Sequence, residues 1–323
     1  MSTLDQLVAR SRTPGQFVER RSFTLSREKA IEKQREFALR HPRQYLLELV
    51  QGAVFAGATY MAVDSHPRSL LVAWVGGKAL NARELEGLFD YLFADRSDPR
   101  WRHLVQLAIG INALCQRAPK LVRIESGDGA TGVRMELDGQ FHATIGQSRG
   151  PIHGTYVYVE YEVGWLSRFT NTGPTDEQRL VEERCLYTPI PILLNGVAPF
   201  GYRGTRQIAV FGARALQHFD QDGRRGVVAM HATAGGPTGF RMVVGGVWIS
   251  TLPLTELSTR PLYGVVCDEG LRKTADQSDI VRDGSYLRML HAVQPFATSL
   301  MAEVEGQGYR PPALPAAPDD RVP

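Results

Sequence analysis

The sequence predicts an α+β fold, a two-layer α/β sandwich followed by a second α+β unit. Three observations carry that expectation. Helical patterns precede a run of short alternating strands between Lys120 and Val163. The polar, turn-rich stretch NTGPTDEQ from Asn171 then interrupts the pattern. Beyond it, a second set of apolar strands is closed by one long helical segment. A chain of 323 residues with 43% hydrophobic content has enough apolar side chains for two cores. The expected organisation is an arm over 1–20, a first domain over 21–168, a linker over 169–178, a second domain over 179–308, and a Pro-rich tail over 309–323, expected to be disordered.

In order along the chain, TLSREKAIEKQREFALRHP has helix-start chemistry at Ser26 and apolar residues at helical spacing, and Pro42 stops it. Pro42 can open a second helix, YLLELVQGAVFAGA, whose Leu46, Leu49, Val50, Ala53 and Val54 form an apolar stripe; Glu48 and Gly52 stand four apart on one side. YMAVD and SLLVAWV read as strands joined by a turn around His66 and Pro67, followed by the loop GGKAL. Asn81 offers a cap with Glu84 three residues on, opening a third helix whose buried face is Leu85, Leu88, Phe89, Leu92 and Phe93. WRHLVQLAIG is helical, a turn follows at Gly110, and INALCQRA is a short helix ended by Pro119. KLVRIES, GVRMELDG, FHATIG and GTYVYVEYEV are the strands that follow. In the second unit IPILLNG, RQIAVFG, GVVAMHA, FRMVVGGVWIS and PLYGVVC read as strands, and YLRMLHAVQPFATSLMAEV as the closing helix.

Charge and cysteine usage narrow the function classes. A net charge of +3 is too small to argue for nucleic acid, and the ten Lys and Arg against five Asp and Glu up to Arg43 read as a solvated helix face without the interleaved aromatics that stack on bases. Cys115, Cys185 and Cys267 have neither metal-ligand spacing nor a disulfide framework, which suits reduced thiols in a cytoplasm. The first residues hold no apolar signal core and no run reaches the roughly 18 apolar residues of a membrane span, so a cytoplasmic protein without membrane contact is expected. No zinc pattern or other metal site is read from the sequence.

Taken together and in order, several of these segments resemble the GHKL superfamily, the ATP-binding sandwich of gyrase, histidine kinases, mismatch-repair ATPases and the ninety-kilodalton heat-shock chaperone, the chaperone's first two domains being the nearest pattern. ELVQGA is similar to its acid-bearing helix, WVGGKALNARELEGL to the adenine-side glycine loop, LAIGINALCQRA to the second glycine box, and HGTYVYVEY, with Thr155, to the strand near the end of that domain. CLYTPIPILLNG resembles the entry to the middle domain, and LYGVVCDEGLRKTADQSDIVRD the loop that can reach the nucleotide. Nothing resembles the chaperone's carboxy-terminal dimerisation domain.

The resemblance implies ATP and magnesium as ligands and Glu48 as the base that would activate water in an active enzyme. The neighbouring positions depart from that chemistry. Gly52 stands where an asparagine would hold magnesium, and Val75 where an aspartate would accept from the adenine amino group, whose unpaired burial costs about 1–3 kcal/mol. Gly77 and Ala79 replace the paired glycines, Gly110 is kept, and Asn112 replaces the second glycine of the phosphate-facing box. Gln51 and Asn81 are the residues nearby that could substitute for lost contacts. In the second domain, Gln277 falls where an arginine would reach the γ-phosphate, with Arg282 five residues on. The expected function is therefore a chaperone-like protein with a degenerate ATP site, acting as a protein-interaction module or scaffold without efficient hydrolysis. The alternatives are a divergent ATPase or ATP-gated switch using Glu48, and a DNA-associated member of the superfamily.

Overall fold

The computed structural model describes residues 39–96, 98–162, 175–199, 203–204, 208–233, 235–306 and 309–316, together with Lys29, Ile31 and Lys33. Of the first expected helix only those three residues and Leu39 onward are described; Lys29, Ile31 and Lys33 are helical, while its expected start at Ser26 and the arm 1–20 lie outside the described residues.

The first sheet has seven strands in the order β5-β4-β3-β6-β2-β1-β7. They are β1 (Ala58–His66), β2 (Ser69–Gly76), β3 (Leu121–Asp128), β4 (Gly132–Asp138), β5 (Ala143–Gln147), β6 (His153–Glu160) and β7 (Ile192–Leu194). All neighbours are antiparallel except β7, which runs parallel to β1. Period-2 alternation sends Met61, Val63, Leu70, Val72, Trp74, Val122, Ile124, Val157 and Val159 into the core. Helices α1 (Tyr45–Phe55) and α3 (Arg102–Leu114) lie in that same core cluster. The opposite face keeps Leu71, Ala73, Arg123, Glu125, Tyr156 and Tyr158 partly exposed, as antiparallel sheets permit.

The second sheet has the order β11-β10-β12-β9-β8. Its strands are β8 (Ala213–Gln221), β9 (Arg224–His231), β10 (Gly239–Val244), β11 (Val247–Leu252) and β12 (Tyr263–Cys267). Helix α5 (Gly284–Glu305) packs on β8 and β9, with Phe296 stacked on Phe219 at 5.2 Å between ring centres. FRMVVGGVWIS forms the β10–β11 hairpin, turning on Gly245 and Gly246, both with positive φ (+55° and +75°). A Cβ on Gly245 would lie 3.0 Å from Gln51, and one on Gly246 2.7 Å from Pro189, so the turn doubles as a close seat on the first layer.

Several expectations are corrected. Helix α3 runs without a break through Gly110, so no turn stands there: a Cβ at Gly110 would meet Leu49 at 2.9 Å and the Tyr45 carbonyl at 3.1 Å, and the glycine serves helix–helix approach. The third helix is α2 (Ala82–Glu86) followed by a 3₁₀ segment over Leu88–Phe93, which leaves Phe93 51% exposed. The expected linker contains the start of a helix, α4 (Asp176–Arg184), capped by Thr175 in a reciprocal box with Gln178, while 169–174 lie outside the described residues. IPILLNG, expected in the second sheet, supplies β7 to the first because β1 offers it a free edge. Ile208–Gly212 of RQIAVFG forms no strand, and the strand is β8 just after it. The tail over 309–316 is ordered by contacts: Gln294 Nε2 donates to Pro312 O at 2.8 Å, His291 Nε2 is 2.7 Å from Pro315 O, and Leu314 packs on the core. Residues 317–323 lie outside the described residues.

Candidate functional site

Glu48 lies in the first turn of α1, and Gln51 follows it on the same helix. Gln106 comes from the second turn of α3, and Lys273 from the loop after β12, held there by the Lys273–Ile280 bridge. Lys273 Nζ is 2.8 Å from Glu48 Oε2, 3.1 Å from Glu48 Oε1 and 3.2 Å from Gln106 Oε1, and it also donates to Gln51 Oε1. An ammonium has three protons, so these four oxygens use its whole donor capacity. The Lys273 side chain is 6% exposed and that of Glu48 3%. Burial holds the lysine below the ordinary range for its type, and the Glu48 carboxylate opposes that shift. Gln51 Nε2 in turn donates to Val244 O at 2.7 Å, beside the glycine hairpin turn. The arrangement is a buried ion pair in which Lys273 donates to Glu48, Gln51 and Gln106, tying α1 and α3 to the loop after β12.

Beside it opens a cavity of about 430 Å³, lined from α1, α3, the loop after Phe93 and the loop after β12. Its ionisable lining is Asp95, Arg96, Arg102, Glu269, Arg272 and Lys273. Four of these are cations and two are acids. Glu269 accepts the Gly245 N–H at 2.6 Å, and burial raises its carboxyl above the usual range. Arg102 donates to Glu269 O at 2.8 Å and lies over the Phe55 ring. Arg272 pairs with Asp283 at 3.1 Å. Arg96 is half-buried, and its guanidinium is pushed below the arginine range by burial first and also by Arg272; Glu48 opposes this.

The residues singled out from sequence do not form one pocket. Gly52 faces α3, where a Cβ would lie 3.4 Å from His103 O and 3.5 Å from Leu107 N. Gly77, with φ +73°, is pressed on the end of α1, a Cβ there falling 2.2 Å from Ala56 O. Val75 and Ala79 are half-buried, and Val75 O accepts from Thr59 Oγ1 at 3.2 Å. Asn81 caps α2 in a reciprocal box with Glu84. Asn112 is fully buried inside α3 in helical conformation, with Nδ2 3.5 Å from Ile31 O, so it adopts no left-handed backbone. Thr155 is sealed against Ser126 at 2.8 Å, and Ser126 Oγ accepts the Leu80 N–H at 2.9 Å. Gln277, at φ +60°, lines the cavity; its Nε2 donates to Thr274 O and Ala275 O, and its buried Oε1 has no partner among the described residues. Arg282 lies over the Tyr286 ring and is outside the cavity lining. Of the sequence set, Glu48 and Gln51 meet at the ion pair and Gln277 lies along the neighbouring wall.

Sequence reasoning missed Lys273, Gln106, Arg96 and Glu269. Lys273 sits inside the quoted stretch LRKTADQ, and the one usable signal was a basic pair in a loop matched to one that reaches the first domain. Gln106 was readable as a polar residue inside an otherwise apolar helical run. Among the described residues no group of three or more His, Cys, Asp or Glu is placed to hold a metal ion, and no helix is long and apolar enough to cross a membrane. Comparison of the chain with protein-family models and with curated proteins finds no match to either.

Proposed function

We propose that this chain is a GHKL-type, chaperone-like scaffold in which the acid that would serve hydrolysis has become a fixed structural contact between its two layers. The observation that carries the reading is the pairing of Glu48 with Lys273, completed by Gln51 and Gln106. A general base must reach a water proton within one hydrogen bond. Here both carboxylate oxygens face the ammonium of a neighbouring element. Two matched positions add to this: Gly52, at the magnesium ligand, abuts the α3 backbone, and Thr155, on the strand matched to the end of the domain, is sealed against Ser126. A partner surface for such a scaffold is the outer edge of the second sheet. There β8 has no pairing strand on one side among the described residues, Leu216 is 41% exposed, and Phe211, two residues before the strand, is 76% exposed. The test is titration with adenosine and a magnesium-dependent ATP hydrolysis assay of the purified protein. No adenosine binding and no turnover above buffer are expected. Turnover abolished by Glu48→Gln would overturn the reading.

One observation favours an ATP-gated switch as a second reading: the cation on Glu48 comes from the loop that the resemblance matches to a nucleotide-reaching one. In that case Lys273 must leave Glu48 for the site to work, and Lys273→Ala would raise ATP turnover rather than leave it at zero.

A further inference from the structure

We propose that the cavity beside the Glu48–Lys273 pair binds a small phosphorylated molecule bearing a hydroxyl, with Arg96 and Arg272 as its anion contacts. Of the positions matched to the nucleotide, Gln277 lines the cavity, while Gly52, Val75, Gly77, Asn81, Gly110 and Thr155 do not. Its lining carries two more cations than acids, since Arg96, Arg102, Arg272 and Lys273 stand against Asp95 and Glu269. Its volume of about 430 Å³ suits a small metabolite.

The charges are not equally committed. Lys273 is saturated by Glu48 and the two glutamines. The Glu269 carboxylate is turned to the Gly245 amide. Arg96 is half-buried and lines the same cavity as Arg272, which pairs with Asp283; no hydrogen bond from Arg96 to another described residue is seen. The nearby Glu48 charge is already taken by Lys273. Two guanidiniums lining one cavity, one of them without a hydrogen-bond partner among the described residues, match a phosphate dianion, which arginine binds through paired N–H donors. Gln277 supplies the second recognition element. Its orphaned Oε1 on the same cavity wall is an acceptor that a ligand hydroxyl satisfies, and its left-handed backbone marks a loop held in a costly shape.

The probes are inorganic phosphate and glycerol 3-phosphate, titrated into the whole chain at low ionic strength by calorimetry, with the thermal midpoint read in parallel. Both are expected to bind and raise the midpoint, glycerol 3-phosphate more tightly, and added salt weakens both. Arg96→Gln should weaken both by roughly tenfold or more, and Arg272→Gln should weaken them in the same direction. The unliganded midpoint of Arg96→Gln is the reference for its liganded shift, because the substitution removes both an attraction to Glu48 and a repulsion from Arg272. Arg123→Gln, on the open face of the first sheet, should leave phosphate affinity unchanged. Absence of binding by either probe, or unaltered affinity in both arginine variants, would overturn the site. Equal affinity for the two probes would overturn the assignment of the hydroxyl to Gln277.

Discussion

Replacing Lys273 by methionine tests the ion pair most directly. The substitution keeps much of the side-chain volume and removes the ammonium, leaving the Glu48 carboxylate, 3% exposed, without its countercharge. It also strips one donor each from the Gln51 and Gln106 carbonyl oxygens. Breaking a buried pair from one side costs about 3–5 kcal/mol. For a chain of this size class each kcal/mol lowers the thermal midpoint by about 2–4 °C, so the expected fall is roughly 6–20 °C. Urea unfolding of Lys273→Met, Glu48→Leu and the double variant supplies the cycle. The double variant should recover most of the loss, since an apolar pair of similar volume needs no countercharge. Glu48→Gln adds a pH signature. Without the carboxylate, burial and the nearby Arg96 charge act on the lysine unopposed, and its folded pKa drops further below the ordinary 10.5. Between that folded value and 10.5 the unfolded chain binds more protons, so stability rises with pH and the deficit against the parent protein narrows as pH rises toward 10.5. Losses below about 1 kcal/mol in both single variants, the figure for an exposed pair, would refute the reasoning.

Three further outcomes follow from packing and burial. Gly52→Asn, which restores the residue type that would hold magnesium, should create no magnesium-dependent nucleotide binding by calorimetry, because the position packs at contact distance on the His103 and Leu107 backbone and Glu48 stays engaged by Lys273. Gly110→Ala would gain about 0.5–1 kcal/mol from helix propensity in an open helix. Against Leu49 Cδ2 at 2.9 Å and Tyr45 O at 3.1 Å it should instead lose about 1–2 kcal/mol in urea unfolding. Cys115, Cys185 and Cys267 are buried, and burial pushes the thiols of Cys185 and Cys267 up to about 12. A chromogenic disulfide reagent should therefore find no reactive thiol in the native protein and three after denaturation in guanidinium.

Much of the α+β architecture was legible because it is written locally. The β1–β2 turn at His66, the Asn81–Glu84 box and the alternation of β3, β4 and β6 each depend on neighbours a few residues away. Strand β8 escaped because ARALQHFDQ leaves most of its side chains on the surface, so it lacks an apolar alternation. Assignment of IPILLNG to a sheet depends on which edge is free, a tertiary fact that a short apolar run does not encode. Gly110 was misread for a related reason: a glycine in a helical run marks a turn or a close approach, and only Leu49 decides between them. At the candidate site, Glu48 stood out as the one acid on an apolar helix. Its partner did not, since long-range ion pairs leave no spacing pattern.

Glu48 and Lys273 are separated by 225 residues. At the usual pace of synthesis, about 5–20 residues per second, roughly 11–45 s pass between the emergence of the acid and that of the lysine. During that interval the helices over the first sheet carry a carboxylate and two amide oxygens whose covering group has not yet been made. The nascent first layer can assemble its apolar face early, but its polar seam closes only when the loop after β12 arrives. A ribosome stalled before that loop would display a half-built helix surface, which makes α1 the segment of a nascent chain most in need of a temporary cover.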